Sequence, residues 1–238
     1  MALLDDVIEA HGGLARRKAF ERIEATVVTT GGLFPLKSLP TDMTRRRMSV
    51  WLHEQRASVA PFGAPDQRTA FTAERVAVEK TDGTIVAESR DLPALFAGHG
   101  LSTPWGPLHR AYFNGYAMWL YLNSPFALAA EGVAIRELDN WQEGDAEWRV
   151  LRASFPGEMV THSRQQDFYF DRALELRRHD YRVDIAGGFA AAQMIDGYVE
   201  VQGLRVPTRR RAYVRGPDAR PVTDLLMVSI DLDEIAFS

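Results

Sequence analysis

The sequence predicts an α+β fold that is mainly β: a strongly curved antiparallel half-barrel sheet, with an N-terminal helix pair and a central helical insertion in its concave face. Two observations lead to this prediction. Most of the 238 residues form short runs in which apolar and polar side chains alternate, and short turns join consecutive runs. The stretch 91–128 has helical spacing instead and separates two blocks that together contain about ten or eleven strands.

A helix pair is predicted in residues 2–20. Apolar side chains in 2–10 recur at the spacing of one helix face, and Gly12-Gly13 supplies the left-handed cap that ends a helix. Residues 14–20 add a short second helix. From Arg22 the period changes to the alternation of a half-buried strand, as in "IEATVVTT".

Strands are predicted in 22–89 and again in 132–238. The clearest hairpin is "ERVAVEKTDGTIVAES", two β-rich runs joined by a turn at Asp82-Gly83. Asp91 is placed to cap a short helix at the start of the helical insertion, 91–128. No long linker divides the chain, so the sequence predicts a single domain, 1–238.

The strand "RRHDYRVDI" predicts one buried and one wet face for the sheet. His179 and Tyr181 fall on the face with apolar neighbours, and Arg178 and Asp180 fall on a face that is charged throughout. We therefore expect Arg178 and Asp180 to meet water. The arginine run 209–211 is interpreted in the same way, as a solvated strand edge rather than a phosphate site.

Composition excludes several classes of function. The chain has no cysteine, which excludes disulfides and thiolate metal sites, and its formal net charge of -4 argues against a general nucleic-acid binder. No motif for a metal or a nucleotide is present, so we expect no metal and no cofactor. The start, "MALLDDVIEAHGG", lacks the features of a signal peptide, which predicts a cytoplasmic protein.

The most apolar stretch is "LHRAYFNGYAMWLYLNSPFAL", residues 108–128. A membrane span needs roughly 20 apolar residues, and polar side chains interrupt this one too early, so we expect no integral membrane segment. On a helical wheel the polar arc contains only Arg110, Asn114, Ala117 and Tyr121. We therefore predict a helix, 108–122, that the protein surrounds on most sides.

Polar-tipped side chains also lie in the middle of the apolar arc of this helix. They are His109, Tyr112, Tyr116 and Asn123. Once buried they need hydrogen-bond partners, either from the sheet, which describes a filled core, or from a ligand in a cavity between helix and sheet. His179 and Tyr181 form a second inward-facing pair. Trp51 and His53 are predicted on one strand face, and Trp105 at one end of the cavity.

In its order of elements the chain resembles the LolA-like lipoprotein-carrier fold. The segments "IEAHGGLARRKAFERIEAT", "FYFDRALELRRHDY" and "GLRVPTRRRAYV" carry the resemblance. It implies an unclosed β-barrel whose concavity is covered by helices and holds acyl chains.

Two main classes of function follow. The first is binding of a lipophilic small molecule or acyl chain between the sheet and helix 108–122. Its candidate residues are Trp51, His53, Trp105, His109, Tyr112, Tyr116, Trp119, Asn123, His179 and Tyr181. The alternative is a cofactor-independent cyclase, isomerase or lyase that acts on a hydrophobic metabolite in the same cavity, with His109, Tyr112, Tyr116, His179 and Tyr181 as acid–base groups. A structural or interaction role is a third possibility.

Overall fold

A computed structural model describes residues 2–41 and 43–238, and these residues form one antiparallel sheet of 13 strands that does not close into a barrel. In chain order the strands are β1 (Arg22–Thr30), β2 (Arg46–Trp51), β3 (Arg56–Ala60), β4 (Gln67–Thr72), β5 (Arg75–Lys80), β6 (Ile85–Ser89), β7 (Ala134–Glu143), β8 (Ala146–Ser154), β9 (Gln165–Phe170), β10 (Leu176–Val183), β11 (Phe189–Val201), β12 (Leu204–Arg215) and β13 (Pro221–Phe237).

The strand order places the two edges of the sheet on either side of the helical insertion. Each strand pairs with its sequence neighbours, except that β6 and β7 do not pair and β1 pairs with β13, so that the order runs β6-β5-β4-β3-β2-β1-β13-β12-β11-β10-β9-β8-β7. The chain between β6 and β7 therefore has to pass from one edge to the other. This connection explains why the insertion lies across the sheet.

Five α-helices occur among the described residues. They are α1 (Ala2–Ala10), α2 (Leu14–Lys18), α3 (Leu33–Leu36), α4 (Leu92–Leu95) and α5 (Pro107–Asn123). The predicted caps are confirmed: Gly12 and Gly13 have φ of 109° and 83°, and the Asp91 carboxylate accepts from the Ala94 N–H at 3.1 Å. No helix in 2–41 or 43–238 is long and apolar enough to cross a membrane.

The fold class predicted from the sequence is confirmed, although the sheet has more strands than expected. β4 is missed by pattern because Phe71 is the only large apolar side chain in "QRTAFT". β11 begins at Phe189, in a run of alanines, whereas the sequence pattern predicts this strand only from "YVEV", which starts at Tyr198. Alanine has a low strand propensity, so the pairing of Ala191 and Ala192 with β10 and β12 decides this structure.

The central helix α5 packs closely on strands β2 to β6. Pro107 starts it, and Ser124 ends it in an extended conformation (ψ 140°), because the residue before a proline is excluded from the helical region. At Gly115 the helix backbone comes so near β4 that an added Cβ would lie 2.3 Å from Cγ of Phe71. Glycine at this position sets the depth at which α5 is seated.

The prediction that Arg178 and Asp180 face water is wrong. Arg178 is 0% exposed, and its Nε and Nη2 each lie 2.7 Å from an oxygen of the buried Asp180 carboxylate. The rings of Trp141 and Tyr169 lie 4.8 Å from the guanidinium, and the carbonyl of Ala219 accepts from it. The alternation of side chains shows which residues share a face of the sheet. It does not show that distant segments, here the β7–β8 hairpin with Trp141 and the loop with Ala219, cover that face.

The expectation of a solvated edge also fails for part of the arginine run in β12. This strand lies inside the sheet, between β11 and β13, so it is not an edge, and its side chains alternate between the two faces of the sheet. Arg209 and Arg211 pair with Asp196 and Asp231 at the more accessible face. Arg210 points to the other face and is buried beside α5.

Candidate functional site

Two recesses flank the first turns of α5. We call them the cleft and the groove. The cleft has a volume of about 860 Å³ and is bounded by α4, by Tyr112 and by the loop 156–164 that joins β8 to β9. The groove, of about 450 Å³, lies beside Arg110 and Asn114 and is walled mainly by Leu39, Pro40 and the apolar segment 61–65.

The walls of the cleft come from both ends of the sheet. α4 follows β6 at one edge, and the loop 156–164 belongs to the strands near the other edge. The amide of Gln55, in the turn between β2 and β3, ties this loop to the strands on the β6 side: it accepts from the Val160 N–H at 2.8 Å and donates to the Val160 carbonyl at 2.9 Å. The cleft therefore lies at a seam between the two ends of the sheet, and the Gln55 side chain helps to hold that seam together.

The lining of the cleft is amphipathic. Its apolar and aromatic members are Ala73, Leu92, Pro93, Phe96, Tyr112, Pro156, Met159, Val160 and Ile185, and its charged members are Glu74, Arg90, Glu158, Arg164 and Asp184. Tyr112 is 8% exposed and packs on Phe96 with ring centroids 5.2 Å apart. Burial raises the pKa of Tyr112 to about 12, so its hydroxyl is neutral, and it bonds to no described residue.

Directly behind Tyr112 lies a chain of buried polar side chains, which we call the buried network. Its members are Tyr116, His162, Tyr121, Tyr181, Gln193 and Arg210. The Tyr116 hydroxyl lies 3.1 Å from Nδ1 of His162, and the Tyr121 hydroxyl lies 2.6 Å from Nε2 of the same ring. A bond of 2.8 Å joins the hydroxyls of Tyr121 and Tyr181. His162 thus has both ring nitrogens occupied.

The far end of the buried network carries a positive charge. The Gln193 amide donates to the Tyr181 hydroxyl at 3.3 Å and accepts from Nη1 of Arg210 at 2.9 Å. Nη2 of Arg210 donates to the Tyr121 carbonyl at 2.8 Å, and the guanidinium lies 4.7 Å from the Tyr121 ring. Arg210 forms no ion pair within the described chain, and its Nε has no hydrogen-bond partner there.

Burial keeps the histidines behind the cleft neutral. It lowers the pKa of His162 to about 3, and the His162 ring stacks on that of Tyr181 at 4.0 Å. Burial also holds the pKa of His179 well below its usual range. Nε2 of His179 lies 2.6 Å from Oε1 of Gln166, and the His179 ring stacks on Phe168 at 4.2 Å. Neither imidazole is charged at neutral pH.

The comparisons with known proteins show the fold. No protein-family model matches the chain, and no curated protein matches it. A solved LolA superfamily protein of Nitrosomonas europaea is similar over 98% of this chain and 92% of its own, with a TM-score of 0.53 at 11% identity. A DUF1329 family protein of Desulfovibrio piger covers 100% and 92% at TM-score 0.56 and 7% identity. A domain described as an outer membrane lipoprotein-sorting protein, from Vibrio parahaemolyticus, covers 99% and 93% at 0.55 and 9%.

The chain has a LolA-like fold. The resemblance inferred from the order of its elements is confirmed at this level. At such low identities the likeness is one of architecture, so the residues of this LolA-like half-barrel have to be placed from its own geometry. In it α5 lies across the concave face, with the cleft and the groove on either side.

Within the LolA-like half-barrel, His109 and Trp105 hold the insertion together. Nδ1 of His109 accepts from the Gly106 N–H and Nε2 donates to the Leu95 carbonyl, both at 3.0 Å, so the ring ties α5 to α4. Trp105 is buried beside Phe113, with ring centroids 5.3 Å apart. The structure does not bring His109 into contact with Tyr116, which bonds to His162 instead.

The remaining predicted residues lie at the opposite end of α5. Trp119 donates through Nε1 to the carbonyls of Trp51 and Glu54 at 3.0 and 2.7 Å, and Asn123 bonds to the Trp119 carbonyl. His53 is 41% exposed on its side chain and lies in the turn after β2. The prediction that Trp51 and His53 share a strand face is therefore wrong, because β2 ends at Trp51.

Sequence patterns missed His162, Gln193 and Arg210, and placed Tyr121 on the polar arc of the helix. Tyr121 is 3% exposed. The wheel is correct about its direction, but that arc faces strands whose inward side chains are themselves polar, so Tyr121 is buried against them. His162 lies in a loop without periodicity, and its sequence neighbourhood carries no signal that would reveal it.

Proposed function

We propose that this protein binds a lipophilic small molecule or acyl chain in the cleft beside Tyr112. The observation that carries the proposal is the cleft itself: an apolar and aromatic floor with a charged rim, at the seam of a LolA-like half-barrel. Its volume of about 860 Å³ falls within the range of small-molecule sites, roughly 300–1,000 Å³.

The chemistry of the lining supports an amphiphile rather than a polar metabolite. Each buried methylene contributes about 0.8 kcal/mol of transfer free energy, so a chain of several carbons against Phe96, Met159 and Val160 supplies the main driving force. The charged rim leaves the outer end of such a ligand in a polar environment. The cleft is favoured over the groove because it alone adjoins the buried polar side chains predicted from sequence.

No observation in the described part of the chain favours the enzyme alternative. Both ring nitrogens of His109 bond to backbone groups, and His179 is enclosed between Phe168 and Tyr121. We therefore propose binding rather than catalysis as the function of the cleft.

Displacement of a fluorescent fatty acid provides the test. Val160→Glu places a carboxylate on the cleft wall, and we expect at least a tenfold loss of affinity, since burying a charge against an acyl chain is costly. Ala64→Glu makes the matched change in the groove and should alter affinity by less than about twofold. The proposal fails if no probe binds, or if Ala64→Glu abolishes binding while Val160→Glu does not.

A further inference from the structure

We propose that the buried network is a directed hydrogen-bond relay that presents the hydroxyl proton of Tyr116 to the cleft, and that the cleft therefore takes ligands with an oxygen acceptor: a carboxylic acid, an ester or a ketone. This inference rests on the proposed function and adds the polar half of the ligand to it.

The charged end of the relay fixes the orientation of the Gln193 amide. Arginine only donates, so Oε1 of Gln193 must accept from Arg210 and its amide nitrogen must donate to Tyr181. Tyr181, which accepts from this amide, has its own proton left to donate to Tyr121, and Tyr121 in turn donates to Nε2 of His162. His162 then carries its proton on Nδ1 and donates it to Tyr116.

The opposite direction has the same number of bonds but the wrong electrostatics. It would leave the proton of Tyr181 without an acceptor at the end of the network that adjoins Gln193 and the Arg210 cation. In the proposed direction the unpaired proton lies at the other end, on Tyr116, and successive dipoles polarise one another favourably. The carboxylate of Asp184 acts on Tyr116 from the cleft side, which favours a proton at that end.

The last hydroxyl of the relay lies one layer behind the cleft. Tyr116 is 1% exposed, and the Tyr112 ring, which lines the cleft, packs against it with centroids 5.3 Å apart. Thr161 and Ser163, on either side of His162 in the chain, also line the cleft. In the proposed direction the Tyr116 proton has no acceptor among residues 2–41 and 43–238. A ligand oxygen that displaces the edge of the Tyr112 ring would provide one.

Ligands with matched chains test the acceptor requirement. Palmitate and methyl palmitate carry acceptor oxygens, whereas hexadecylammonium has the same chain with a donor-only head. We expect the two acceptor ligands to displace the fluorescent fatty acid at about tenfold lower concentration than hexadecylammonium, and Tyr116→Phe to remove this preference. Equal losses for all three ligands would overturn the relay while leaving binding in the cleft intact.

A second variant distinguishes the effect of the relay from the effect of the Tyr116 hydroxyl. Tyr121→Phe keeps Tyr116 but releases Nε2 of His162, so Tyr116 turns to donate to Nδ1 and the preference for acceptors should again disappear. Tyr169→Phe, on the opposite face of the sheet, should leave the preference unchanged. If Tyr116→Phe does not fold, ¹⁵N spectra of the unmodified protein decide: Nδ1–H in His162 supports the relay, and Nε2–H contradicts it.

Discussion

The two halves of the concave face hold α5 in different ways. Against β2 to β6 the contact is mainly apolar, apart from the bonds of Trp119 to two backbone carbonyls, and it is so close that Gly115 has no room for a side chain beside Phe71. Against β10 to β12 the contact is polar, through Tyr181, Gln193 and Arg210. Apolar packing depends little on the exact orientation of the side chains, whereas hydrogen bonds form only in particular orientations of donor and acceptor. The first half therefore seats the helix, and the second half fixes its rotation.

The apolar half of the concave face is the more sensitive of the two to a single substitution. An alanine at position 115 would place Cβ 2.3 Å from Cγ of Phe71, an atom near the base of that side chain, so strand and helix must separate. We expect Gly115→Ala to lower the free energy of unfolding by about 2–3 kcal/mol, although alanine is the better helix former. Urea denaturation followed by circular dichroism measures this.

Two variants check that the cause is the close approach. Asn114→Ala, one residue earlier and facing the groove, should change stability by less than about 0.5 kcal/mol. Phe71→Ala should be less costly in the Gly115→Ala background than in the wild type, since it removes the clash. Strict additivity of the two substitutions would refute the packing argument.

The same two halves explain how much of the structure the sequence could predict. In the apolar half, alternation and helical spacing reflect burial directly, so β1, the hairpin at Gly83 and the bounds of α5 follow from the pattern. In the polar half the pattern misleads. Arg210 and Tyr121 look solvated because charged and hydroxylated side chains are usually exposed, and their burial depends on hydrogen bonds to distant partners in the buried network.

The binding site itself depends on contacts between distant segments, so it could be predicted only in part. Tyr112 and Tyr116 follow from the helical wheel, but His162 comes from a loop 46 residues away in sequence, and no local pattern connects them. The single domain, the cytoplasmic location and the ligand contacts of the predicted residues stay predictions. The sheet has more strands than predicted because β4 depends on pairing rather than on propensity, and β11 is longer than predicted for the same reason.

The polar half responds to pH. Burial lowers the pKa of His162 to about 3 in the folded protein, against 6.5 in the unfolded chain, so the unfolded state binds the extra proton between these values. The contribution of the neutral His162 to the free energy of unfolding is fully present above pH 6.5 and is lost as the pH falls toward 3. At pH 5 the loss from this one group is about 2 kcal/mol, since each pH unit contributes about 1.4 kcal/mol.

Denaturation at pH 7.5 and pH 5 compares the wild type with His162→Gln. His11, whose pKa burial lowers to about 4, contributes to the wild-type slope as well, so the difference between the two proteins isolates His162. We expect the glutamine variant to be less stable at pH 7.5 but to lose about 2 kcal/mol less on acidification. Parallel pH profiles would mean that His162 is accessible to protonation in the folded state.

Substitution of Gln55, at the seam between the halves, should change global stability only slightly but local amide exchange clearly. Gln55→Ala removes both bonds to the Val160 backbone, so amide exchange in 156–164 should accelerate about tenfold while global stability falls by less than about 1 kcal/mol. Gln142→Ala, which removes an exposed bond at the tip of the β7–β8 hairpin, should leave exchange in that loop unchanged. If Gln55→Ala also leaves amide exchange in 156–164 unchanged, the loop is held by the polar half alone. The cleft would then belong to that half rather than to a seam between the two halves.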